Sequence, residues 1–125
     1  MHSILIALGT NVHSDNIRLA EERLAREFND AAFSKSITTL PLGEKFQGRN
    51  FINAVASCTT RRSKREVVEM LKQIEAECGD TRARREAGEV VVDIDLLLYD
   101  KEKCHVPDWQ RQYIKDLIQD LLLSK

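Results

Sequence analysis

The longest apolar run of the chain, V-V-V-D-I-D-L-L-L-Y-D from Val90 to Asp100, is interrupted only by Asp93 and Asp95. Its valines and Ile94 suit a pleated strand, because β-branched side chains pack well there. Side chains alternate along a strand. The alternation predicts Val90, Val92, Ile94, Leu96 and Leu98 on one apolar face, beneath helices. Val91, Asp93, Asp95, Leu97 and Tyr99 then share the other face.

Other segments follow the same logic. Ser3 to Leu8 predicts a first strand, ended by a Gly9-Thr10-Asn11 turn. Ile17, Ala20, Leu24 and Phe28 repeat at helical spacing, so residues 15 to 28 predict an amphipathic helix capped by Ser14, with Asn29-Asp30 after it. Ala32 to Leu40 predicts a second strand, broken at Pro41-Leu42-Gly43, with a loop from Gly43 to Arg49. Phe51 to Thr60 predicts a third. Ser63-Lys64-Arg65-Glu66 is a capping box, and Val67, Met70 or Leu71, Ile74 and Cys78 form the buried stripe of the helix it opens. Gly79 supplies the stop. A charged loop from Asp80 to Glu89 precedes the acidic strand. After a turn at Lys101 to Cys104, Asp108 is placed to cap a last helix reaching about Leu123. Tyr113 or Ile114, Leu117 or Ile118, and Leu121 give that helix its apolar face. The order β-α-β-β-α-β plus a helix predicts an α+β, ferredoxin-like fold: an antiparallel sheet with both main helices on one face. Its other face is then expected to be open around Asp93 and Asp95.

Composition narrows the function classes. The 125 residues suffice for one domain with a single core, spanning 1–125. A net charge of -1 gives no basic field for nucleic acid or an anionic membrane. Three widely spaced cysteines without a C-x-x-C pair suggest neither a zinc knuckle nor a disulfide framework, and fit a reducing cytoplasm. No apolar run reaches the length of a membrane span or signal peptide.

Asp93 and Asp95 carry the sharpest chemistry. Their carboxylates share one strand face roughly 7 Å apart along the backbone. Like charges that close raise each other's pKa unless a cation intervenes. Mg²⁺ binds through one or two carboxylates and fills its remaining positions with water and phosphate oxygens. The pair is therefore a candidate Mg²⁺–phosphate platform. Solvation, or pairing with the nearby arginines, is the plainer reading.

The chain resembles the 6-hydroxymethyl-7,8-dihydropterin pyrophosphokinases of folate biosynthesis. The similarity rests on I-A-L-G-T-N at 6–11, P-L-G at 41–43, N-F-I-N-A-V at 50–55, I-E-A-E-C-G at 74–79, D-I-D-L-L-L-Y at 93–99 and V-P at 106–107, in the family's order. The resemblance implies transfer of pyrophosphate from ATP to the pterin hydroxymethyl group, with two Mg²⁺ ions held by Asp93 and Asp95. It implies pterin contacts from Asn53, Phe51, Asn11 and the Thr39, Pro41 and Leu42 segment. Tyr113 becomes the second aromatic wall, and Arg111 a phosphate contact, if R-Q-Y at 111–113 matches the family's R-x-F. Glu75 and Arg82 match nucleotide-site positions, with Arg84 beside them, and Arg82 is assigned to catalysis. The partners implied are ATP and a pterin, with no nucleic acid or membrane, in a monomer or weak dimer.

Considered singly, these residues have plainer roles. Asn53 can cap a turn, Phe51 and Tyr113 can be core, and Arg82, Arg84 and Arg85 can be a solvated loop. His2, His13 and His105 show no partner in the sequence. The family's R-W-G-P-R-T before the acidic pair is here Glu86-Ala87-Gly88-Glu89-Val90-Val91, and its V-P-H is Val106-Pro107-Asp108. The pterin side and the acidic pair persist while the cationic ATP side is depleted. An active transferase in which Arg82, Arg84 or Arg85 replaces the missing arginines is the first expectation. A pterin-binding or protein-interaction relative without catalysis is the second, and another metal-dependent nucleotidyl or phosphoryl transferase the third.

Overall fold

The computed structural model describes residues 1–40 and 49–123. The readings placed on Pro41, Leu42 and the loop after them fall outside those residues. The strands are β1 (His2–Thr10), β2 (Asn29–Phe33), β3 (Ile37–Thr39), β4 (Phe51–Thr60), β5 (Asp93–Tyr99) and β6 (Glu102–Lys103). The helices are α1 (Asp15–Glu27), α2 (Lys64–Glu77), the short α3 (Arg82–Glu86) and α4 (Gln112–Leu123), with a 3-10 turn at Val106–Gln110. All strand pairs are antiparallel, in the order β2-β4-β1-β5-β6, and β3 extends along the same edge of β4 as β2. This is the α+β arrangement expected of the β-α-β-β-α-β order.

Local chemistry explains both the agreements and the corrections. The Ser63 hydroxyl accepts from the Glu66 amide at 3.2 Å, and the Ser63 amide donates to the Glu66 carboxylate at 2.9 Å, completing the capping box of α2. Gly79 ends that region at φ 96, which glycine adopts without strain. Ser14, by contrast, is itself helical and makes no side-chain cap. His13 takes that role, its Nδ1 accepting from the Asp15 amide at 3.0 Å. Gly9 does not stop β1, because it pairs with Asn53 on one side and Asp93 on the other. The expected strand from Ala32 to Leu40 is two pieces. At the break the Ser34 hydroxyl accepts from the Val55 amide at 2.9 Å, so a side chain replaces a ladder carbonyl.

Two cores flank the sheet. Ile17, Ala20, Leu24, Val67, Leu71 and Ile74 from α1 and α2 bury Ile4, Ile6, Leu8, Ala54, Ala56, Ile94 and Leu96. On the opposite face Ile114, Leu117 and Leu121 of α4 cover Leu5, Val55 and Leu97. That face is therefore not open throughout: α4 needs a home for its apolar stripe, and the sheet supplies one beside the acidic pair. The strand alternation also needs correcting. Leu5 pairs with Leu98 while Ile6 pairs with Leu96, leaving Leu97 as an extra residue. This bulge keeps Leu97 on the α4 side, moves Leu98 there as well, and turns Tyr99 toward α1 and α2. Residues 90–92 precede β5 and are pinned by side chains: the Val90 amide donates to Asn11 Oδ1 at 2.7 Å and the Val91 amide to Asp80 Oδ1 at 3.0 Å.

Candidate active site

A cleft of about 480 Å³ opens where β1, β4 and β5 meet the start of α4. Asp93 and Asp95 line it from one strand face, as their spacing predicts. On the outer edge of β5, β6 pairs with Leu98 and Tyr99, and among the described residues no strand pairs with Ile94 on that edge. Glu75 of α2 fills that gap: its buried carboxylate accepts from the Ile94 amide at 2.6 Å. Lys72, one turn earlier on α2, donates to both Glu75 oxygens, at 3.2 and 3.3 Å, and stands 3.9 Å from Asp95.

The opposite wall carries the other expected contacts. Asn53 Nδ2 donates to the Thr39 hydroxyl at 2.7 Å, holding its carboxamide in place. The Cβ position of Gly9 lies only 3.2 Å from Asn53 Oδ1, so the bare backbone of β1 makes room for that amide. Phe51, Thr39 and Tyr113 all line the cleft, with Arg111 Nη1 donating to the Tyr113 hydroxyl at 3.3 Å.

Several sequence-chosen residues fall elsewhere. Arg82 is 94% exposed and pairs along α3 with Glu86, while Arg84 faces solvent. Arg85 is the arginine that enters the cleft. It donates to Asp80 at 2.6 Å and to Asp93 at 3.3 Å. The Thr81 hydroxyl caps the α3 helix that carries Arg85, accepting from the Arg84 amide at 3.2 Å. Asn11 is buried, not in the cleft wall. Its carboxamide clamps the Gly88 carbonyl and the Val90 amide, and so positions Val90, which does line the cleft. His105 was missed by sequence reading, yet its Nε2 lies 3.7 Å from Asp95. His2 also has a partner, Asp100 at 2.7 Å. Trp109 was missed too. Its ring N–H donates to the carbonyls of Leu97 and Cys104, tying the segment before α4 to β5.

Residues 5–121 match the family described as 7,8-dihydro-6-hydroxymethylpterin-pyrophosphokinase (HPPK). The chain belongs to this family. It is 33% identical over 106 residues to the 2-amino-4-hydroxy-6-hydroxymethyldihydropteridine pyrophosphokinase of Haemophilus influenzae, covering 82% of this chain and 65% of that protein. It is 29% identical over 130 residues to the folate synthesis bifunctional protein of Arabidopsis thaliana, covering 95% of this chain and 27% of that one. The chain thus spans under two thirds of the length of either relative. Among the described residues no helix is long and apolar enough to cross a membrane.

The acidic centre of this pyrophosphokinase-family chain is electrostatically loaded. Burial, then the hydrogen bond and charge of Asp93, push the Asp95 carboxyl up to about 8. Burial opposes ionisation of Asp93 too, but the hydrogen bond from Asp95 and the charges of Arg85 and Lys72 outweigh it and hold Asp93 below the usual range. Burial also raises Glu75. One proton is therefore shared where two carboxylates face each other, and a divalent cation can displace it. Ligand oxygens of Glu75, Asp93 and Asp95 lie within 4.8 Å of one another. An all-oxygen set of this kind fits Mg²⁺.

A pH prediction follows. The folded Asp95 carboxyl holds its proton to a higher pH than the unfolded one, so it stabilises the metal-free fold at low pH. That contribution is lost as pH rises from about 4 through about 8. Thermal denaturation in chelator should show the melting temperature falling across this window, by at most about 1.4 kcal/mol of stability per pH unit for one proton. The slope should flatten in Asp95→Asn. A melting temperature that rises with pH through this range in the parent protein would contradict the shared proton.

Proposed function

We propose that this chain transfers pyrophosphate from ATP to 6-hydroxymethyl-7,8-dihydropterin, as a Mg²⁺-dependent transferase of folate biosynthesis. One observation carries the reading: two pockets meet at the acidic centre. The larger cleft holds the amide, hydroxyl and aromatic side chains suited to a pterin. A second pocket of about 330 Å³ lies on the α2 side, lined by Val68, Leu71, Leu96, Lys64 and Lys72. Asp95 and His105 line both. A nucleoside in the apolar second pocket would place its phosphates beside Lys64 and Lys72 and lead them to Asp93 and Asp95.

In this arrangement Asn53 presents a donor and an acceptor to the pterin edge, and Phe51 and Tyr113 offer ring faces. The hydroxymethyl oxygen would attack the β-phosphorus of ATP and lose its proton to solvent, and the bond from the β-phosphorus to the α,β-bridging oxygen would break to release AMP. Asp93 and Asp95 would hold two Mg²⁺ ions, with Glu75 behind them. Bound Mg²⁺ would neutralise the triphosphate and favour the in-line displacement. Lys72, Arg85 and Arg111 supply positive charge on a side where the family's usual arginines are replaced, and the Glu89 charge is offset by Arg49 at 3.6 Å.

Incubation of the protein with ATP, the dihydropterin and MgCl₂ should release AMP in equal amount to the diphosphorylated pterin. Pterin binding without AMP release would favour the second reading, a pterin-binding relative. The guanidinium of Arg85 resting on Asp93 is the observation behind that alternative. A further variant tests the pterin side. Gly9→Ala should crowd the Asn53 amide and weaken pterin binding severalfold in a fluorescence titration, with ATP-analogue affinity retained. An unchanged pterin titration would remove Asn53 from the pterin site.

A further inference from the structure

We propose that Asp95, His105 and Asp108 form a second divalent-metal site, one that selects zinc-like transition ions over Mg²⁺. His105 Nε2 and carboxylate oxygens of Asp95 and Asp108 all lie within 4.8 Å of one another, and His105 is 3.7 Å from Asp95. The local fold builds this convergence. The Asp108 amide donates to the His105 carbonyl at 2.9 Å, opening the 3-10 turn. His105 flanks that turn with left-handed backbone, and both its ring and the Asp108 side chain line the cleft beside Asp95. Trp109 fastens that turn to the Leu97 carbonyl on β5, two residues from Asp95. Asp95 lines the same cleft as Asp93, and the His105 ring and the Lys72 ammonium stand 3.7 and 3.9 Å from its carboxylate, beyond direct hydrogen-bond distance. The nearest competitor for Asp108 is Arg111 at 3.5 Å.

The donor set decides the metal. Glu75, Asp93 and Asp95 offer oxygen only, whereas this site adds an imidazole nitrogen. Imidazole suits zinc, nickel and copper, while carboxylates alone suit Mg²⁺ and Mn²⁺. Three protein ligands with a remaining position facing the cleft match an open zinc-type site. Asp95 belongs to both groups, so an ion here bridges to the magnesium platform through one carboxylate. The inference does not depend on the transferase reading, because it concerns binding of the metal alone.

The test is titration of the nucleotide-free protein with Co²⁺, followed by visible absorption. Bound Co²⁺ should give ligand-field bands. Equimolar Zn²⁺ should bleach them, and Mg²⁺ should fail to do so even at roughly hundredfold excess, as the donor preference requires. His105→Asn, which tolerates the left-handed backbone at that position (φ 49), and Asp108→Asn should each weaken Co²⁺ at least about tenfold, the loss that changing even an outer-shell partner of a metal ligand causes. Glu75→Gln should leave Co²⁺ binding in place. Absence of the bands, unchanged binding in His105→Asn and Asp108→Asn, or loss only in Glu75→Gln would each overturn the assignment.

Discussion

Replacing Asp95 by asparagine is expected to reduce AMP release by at least about two to three orders of magnitude, the scale of losing one charge-stabilising group at a transferring phosphoryl centre. The residue lies at the junction of both pockets and belongs to both candidate metal groups. An asparagine keeps the shape but removes the anion, so the fold should persist. Metal-free melting should match or exceed that of the parent at neutral pH, since the parent must take up a proton at Asp95 on folding and asparagine need not. Pterin titration should change little, because Asn53, Phe51 and Thr39 stand on the other wall. Steady-state AMP release, read beside pterin affinity, checks this. Turnover within a few-fold of the parent would remove Asp95 from the chemistry.

Leu97→Ala is expected to cost about 2–5 kcal/mol of stability, the range for emptying a buried leucine site. Leu97 is fully buried and is the extra residue of the β5 bulge, filling the core beneath Ile114, Leu117 and Leu121. Its loss leaves a cavity that α4 cannot close without shifting, because Trp109 ties the preceding segment to the Leu97 carbonyl. Chemical denaturation measures the cost. The effect should reach the cleft as well, since Arg111 and Tyr113 open α4. A loss under about 0.5 kcal/mol, the level of an ordinary surface change, would mean that α4 is not held by this core.

The contrast between legible and hidden features follows the range of the forces involved. β4 ran from Phe51 to Thr60 and α2 opened at Ser63 as read, because alternation and a capping box are local signals. The faces of Val92, Ile94 and Leu96 were legible for the same reason. Leu98 and Tyr99 exchanged faces because a bulge depends on the register with β1, which no window of β5 contains. The edge strand split because the Ser34 hydroxyl competed with the backbone. At the site, Asp93 and Asp95 were visible from spacing alone. His105 was not, since it meets Asp95 only through the β5–β6 hairpin. Arg85 was one of three arginines the sequence left open, because Arg82 lies three residues earlier on the same helical face; contacts with Asp80 and Asp93 bring Arg85 into the cleft.

The carboxylate of Glu75 on the Ile94 amide also bears on how copies of this chain meet. An unpaired strand edge is a template on which another chain can continue the sheet. Here the strand carrying the acidic pair presents, at Ile94, an amide already held by an anion anchored on α2. A second strand arriving at that rim would have to break a 2.6 Å charge-assisted bond and bring its own carbonyl against a carboxylate. The contact that sits behind the acidic pair therefore also guards the edge beside it against sheet extension.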